Sequence, residues 1–115
     1  MQINQRNEGL ITILEPIGDM GLYNLGQLRE LLKKLRGTDH RKVLIDMSKV
    51  PGIDSISIGF LIQETSLFLD AGGELKLVHI SASVRKSLLV TETLSQVEVF
   101  DDIPAALAAF SGFKA

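Results

Sequence analysis

Asp54 and Ser55 stand where a strand gives way to a helix, and of all residues in this chain they are the best placed to do chemistry. A hydroxyl at such a junction is exposed and carried on rigid elements. It also lies at the positive end of a helix dipole, where a phosphate could sit. The plainer reading is that either residue caps the helix, its side-chain oxygen accepting from an orphan N–H group. Residue type alone leaves the two readings side by side.

Other chemistry is sparse. There is no GxGxxG and no P-loop lysine, and Gly72-Gly73 follows a helix rather than a strand, so it reads as a cap and not a phosphate cradle. His40 and His79 have no second ligand at metal-binding spacing. No serine sits in GxSxG, no carboxylate pair stands out, and the absence of cysteine excludes thiolate catalysis and a disulfide framework. Arg85-Lys86 reads as a solvated basic pair. The expectation is no catalytic residue, no metal, no cofactor and no enzyme.

The elements that must position the junction are legible around it. Val43, Leu44 and Ile45 form an apolar run bounded by His40-Arg41-Lys42 and Asp46, as a strand inside a sheet should be. Ser48, Pro51 and Gly52 break it. From Ser55 the period changes: Ile58, Leu61, Ile62, Thr65 and Leu69 recur at three- and four-residue intervals, which predicts a helix to about residue 69 with that stripe inward.

Before this unit, Met1 to Gln5 and Gly9 to Glu15 read as strands joined by a turn at Arg6-Asn7-Glu8-Gly9, with Leu10, Ile11, Ile13 and Leu14 buried and Pro16 and Gly18 ending the second. Leu22, Leu25, Leu28, Leu31, Leu32 and Leu35 mark a helix stopped by Gly37. After it come a strand through Leu75, Leu77, Val78 and Ile80, and a helix capped within Ser81 to Ser83 with Val84, Leu88 and Leu89 inward. A short strand from Val97 to Phe100 follows, then a helix opened by Asp101-Asp102-Ile103-Pro104 and packed through Ala105 to Phe110. Phe113 to Ala115 reads as a frayed end. The order ββαβαβαβα implies one α/β domain over residues 1–115, a mixed sheet of an N-terminal hairpin followed by βαβ units, packed with about four helices.

With 45% hydrophobic and 23% charged residues, the chain belongs to the ordinary globular class. A net charge of -2 gives no general attraction to nucleic acid or anionic lipid. No apolar run spans a membrane, and MQINQRNEG lacks a signal-peptide pattern, so a cytoplasmic location without membrane insertion is expected.

The segment VLIDMSKVPGIDSISIGF resembles the signature of STAS domains, and most of all that of the free-standing anti-anti-sigma factors: a hydrophobic strand, Asp-Leu-Ser or similar, then Asp-Ser-Ser/Ala-Gly-Leu-Gly. Gly18-Asp19 and Ala71-Gly72-Gly73 are weaker matches, and the resemblance extends over essentially the whole chain. It implies that Ser55, after the motif aspartate Asp54, is phosphorylated by a partner that is both anti-sigma factor and serine kinase. Ile58 and Gly59 match the closing Leu-Gly. Ile56 and Ser57 depart from the pattern, and Ser57 becomes a minor alternative acceptor. The implied partner surface is Asp19, Met20, Ile53, Asp54, Ser55, Ile56, Ser57, Gly59 and Phe60, on a monomer or weak dimer that does not touch nucleic acid directly. Three other functions remain open: a STAS scaffold or accessory subunit of a signalling or lipid-transport complex that works without phosphorylation, a small-ligand-binding module and, last, an enzyme.

Overall fold

A computed structural model describes residues 1–113. Five strands lie side by side in sequence order: β1 (Gln2–Glu8), β2 (Ile11–Ile17), β3 (Lys42–Asp46), β4 (Glu74–Val78) and β5 (Val99–Phe100). β1 is antiparallel to β2, and every later pairing is parallel. Four α-helices cover the faces, the first three of them within the connections between parallel strands: α1 (Gly26–Arg36), α2 (Ser55–Asp70), α3 (Ala82–Val90) and α4 (Ile103–Ala108). The mixed sheet, the hairpin and the four helices match the expected architecture. No helix among the described residues is long and apolar enough to cross a membrane.

The central strand shows why the sheet needs two covers. Val43 and Ile45 point to one face and join α1, α2 and α3 in the larger core with Leu28, Leu32, Leu61, Phe68, Val84 and Leu88. Leu44 points to the other and meets Ile11, Ile13, Val78, Leu107 and Phe110 under α4. A strand buried on both faces must be apolar at consecutive positions, as β3 is.

Several boundaries differ from expectation. Glu8 pairs with Ile11, so the hairpin turn is Gly9-Leu10, with Gly9 at φ 60°; the first strand is longer than read, the second is shifted two residues along the chain, and Leu10 is exposed at the tip. Pro16 lies within β2, beyond the stretch that pairs with β3, where a missing N–H is tolerated. Helix α1 starts at Gly26, leaving Leu22 outside it and exposed. Ile80 falls after β4, and Leu69 and Leu89 face solvent. Phe113 packs on the α4 core instead of fraying; Lys114 and Ala115, the rest of the expected frayed end, lie outside the described residues.

The turn after α2 is sterically closed. Gly72 takes φ 80°, and a Cβ on Gly73 would lie 2.1 Å from the Arg41 carbonyl oxygen. Because the obstacle is backbone, Gly73→Ala should cost about 1–3 kcal/mol in urea denaturation. Gly59→Ala is the contrast. A Cβ there meets nothing within 4 Å, so in the middle of α2 alanine should add up to ~1 kcal/mol of stability.

Candidate functional site

Two loops, one after β2 and one after β3, are laced together by backbone bonds. Gly18 N–H donates to Lys49 O at 2.9 Å, Met20 N–H to Gly52 O at 3.0 Å and Asp54 N–H to Met20 O at 3.2 Å. A bridge between Met20 and Ile53 continues the pairing past the ends of the strands. The junction is therefore held from both sides before any side chain contributes.

Asp54 is the cap of α2, and it also ties the loops together. Its Oδ1 accepts from the Ser57 amide at 2.8 Å and from the Ser57 hydroxyl at 2.7 Å. Its Oδ2 accepts from the Leu22 amide at 3.0 Å. The Ser57 hydroxyl bond above all, then the Ser57 amide, holds the carboxyl below the ordinary aspartate range, outweighing its desolvation. A folded-state pKa that is depressed contributes stability present above the unfolded value and lost as pH falls through the folded one. Asp54→Asn, which keeps a capping oxygen but no charge, should flatten that acidic loss in denaturation curves taken on both sides of the aspartate range. Asp54→Ala should cost about 0.5–2 kcal/mol at neutral pH.

Ser55 is thereby released from the capping role. It is the first residue of the helix, is exposed, and no other described residue hydrogen-bonds its hydroxyl. Ser57 is the opposite, 0% exposed with its hydroxyl turned back onto Asp54. Of the two serines expected as acceptors, Ser55 is open to solvent and Ser57, the minor alternative, is buried.

The other expected partner contacts divide. Asp19, Asp54 and Gly59 are exposed, Ile56 is 46% exposed and Ile53 is half-buried. Met20 and Phe60 are buried in the core, 1% and 5% exposed. Phe60 lies on the sheet side of α2 under the Arg29 guanidinium, 5.4 Å from its ring centre. Three residues not foreseen in this region lie beside them. Leu22, Tyr23 and Asn24 line a groove of about 570 Å³ with Asp19, Asp54 and Ile56, and Tyr23 is 99% exposed. Asn24 builds this wall by accepting from the Gly21 amide at 2.7 Å and donating to the Asp19 carbonyl at 2.5 Å. Gly21 and Asn24 were the sequence signal for that turn.

A family model described as the STAS domain matches residues 2–106. The chain belongs to the STAS domain family. A candidate anti-sigma factor antagonist of Thermotoga neapolitana, a TM1081 homologue, is 25% identical over 103 residues, covering 89% of this chain and 91% of that protein. The crystal structure of a candidate anti-sigma factor antagonist from Thermotoga maritima superposes with a TM-score of 0.86 at 21% identity, over 94% of this chain and 93% of that one. The Bacillus cell fate determinant SpoIIAA in its phosphorylated form superposes with a TM-score of 0.69 at 11% identity, over 91% and 96%. Within the STAS fold, the site described here is the loop pair that ends in the Asp54 cap.

Proposed function

We propose that this STAS domain is an anti-sigma factor antagonist that works by partner switching. In this reading it binds an anti-sigma factor that is also a serine kinase, and it is released when that kinase phosphorylates Ser55. The observation that carries the reading is the contrast at the junction: Ser55 exposed and unbonded, its neighbour Asp54 occupied as cap, Ser57 buried. Kinship with candidate anti-sigma factor antagonists, and the fold shared with a protein known in phosphorylated form, support it.

The docking chemistry follows from the groove. Tyr23, Leu22 and Ile56 offer apolar surface on the groove that Asp54, the chain neighbour of Ser55, also lines, a mixture suited to a protein interface. A phosphate at Ser55 adds about -1.5 to -2 charges beside Asp54. Burying them in the interface costs repulsion and desolvation, and the helix dipole returns only ~0.3–1 kcal/mol. The complex opens.

Ser57, where the family pattern has glycine, does not obstruct this docking, because its side chain is folded inward. Ile56 is the departure that faces out, and it favours a second reading in which the surface docks on a signalling partner without phosphorylation. Incubation with the anti-sigma kinase and ATP, followed by intact-mass measurement, separates the two. One added phosphoryl group on the wild type and none on Ser55→Ala is the expected result; no addition to the wild type sinks the switch.

A further inference from the structure

We propose that Lys86 on α3 is the intramolecular partner of a phosphate on Ser55, an assignment that rests on the switch reading above and deepens it. A second, smaller groove of about 270 Å³, without Tyr23 in its lining, lies between the start of α2 and α3. It is lined by Ile53, Ser55, Ile58, Lys86, Val90 and two further hydroxyl residues, Ser87 and Thr91.

Those two hydroxyls are already spent as donors. Ser87 donates to the Ser83 carbonyl at 3.1 Å, and Thr91 to the Ser87 carbonyl at 2.8 Å. Lys86 is exposed and forms no ion pair with any described residue, whereas its neighbour Arg85 faces Asp101 at 3.6 Å. The ammonium of Lys86 is thus the cationic donor on the groove that Ser55 borders. The charged residues that line the first groove, Asp19 and Asp54, the latter next to Ser55 in the chain, are both negative. A phosphate is repelled from that side and attracted to this one.

The consequence is a phospho-form turned away from the docking groove and held by α3. An opposite charge nearby favours the fully ionised phosphate. The second pKa of the phosphoserine, ordinarily about 6, should therefore be lower in the wild type than in a chain lacking the Lys86 charge.

The test does not need the kinase. Phosphoserine is installed at position 55 of the full chain by nonsense suppression, and its ³¹P resonance is titrated at low salt. The expected result is a pKa about half a unit lower in the wild type than in Lys86→Gln. Lys86→Arg should restore the shift, Lys34→Gln on α1 should leave it unchanged, and added salt should shrink it. Equal pKa values in the wild type and Lys86→Gln overturn the assignment of Lys86 while leaving the kinase switch standing. Failure of any kinase to modify Ser55 would sink the switch, yet the titration would still report whether Lys86 reaches a phosphate there.

Discussion

Leu61→Ala lowers the unfolding free energy by about 2–5 kcal/mol, enough to move the thermal midpoint by roughly 10 °C or more. Leu61 is buried in the larger core, which joins α2 to Val43 and Ile45 of β3 and to Leu28 and Leu32 of α1. Removing its branched end takes away transfer free energy and leaves a cavity that neighbours on three elements cannot close together. Ile62 lies on the same helix but only half-buried at the edge of that core, so Ile62→Ala should cost clearly less. Calorimetry of the two variants side by side is the check. Equal losses would mean that α2 is rotated about its axis from the orientation described here, and with it the exposure of Ser55.

That rotation is where the sequence was least informative. The unit running from β3 to α2 could be read because its hydrophobic period changes abruptly at Ser55, and because Asp54 is a strong cap residue. Which way α2 faces could not, since Ile56, Ile58, Phe60, Leu61, Ile62, Leu67, Phe68 and Leu69 surround the helix almost completely. Two stripes compete in such a pattern. The one containing Phe60 and Phe68 is buried, and Leu69 is left outside. A polar residue helps to fix the outcome: Glu64 is buried and accepts from the Arg36 guanidinium of α1 at 2.7 Å. That pair is 28 residues apart in the chain, and no local period announces it. The wall formed by Leu22 and Tyr23 was hidden for a related reason. Leu22 continues the leucine stripe of α1 in perfect step and masks the turn signal of Gly21 and Asn24, and the hydrogen bonds of Asn24 show that the chain is turning there and not coiling.

Substitution of Ser55 should divide stability from signalling, because the helix cap belongs to Asp54. Neither Ser55→Ala nor Ser55→Asp removes a hydrogen bond made within the described fold, so both should melt within about 0.5 kcal/mol of the wild type. If Ser55 were structural, alanine would destabilise and aspartate would not. Binding to the anti-sigma kinase should behave differently. Ser55→Ala keeps the groove of Asp19, Leu22, Tyr23 and Ile56 intact and gives ATP nothing to modify, so its complex should persist when the wild-type complex dissociates. Ser55→Asp places a second carboxylate beside Asp54 in the docking surface and should bind at least about tenfold more weakly, a loss of about 1.4 kcal/mol or more. One carboxylate carries less charge than a phosphate, so this is a lower bound on the effect of phosphorylation. Ser57→Ala completes the comparison. It should lose stability, through the bond to Asp54, without changing the number of phosphoryl groups accepted. Equal affinity of the alanine and aspartate variants for the kinase, with no phosphate on Ser55, would leave the exposed apolar surface at Tyr23 and Ile56 as a docking site that works without a switch.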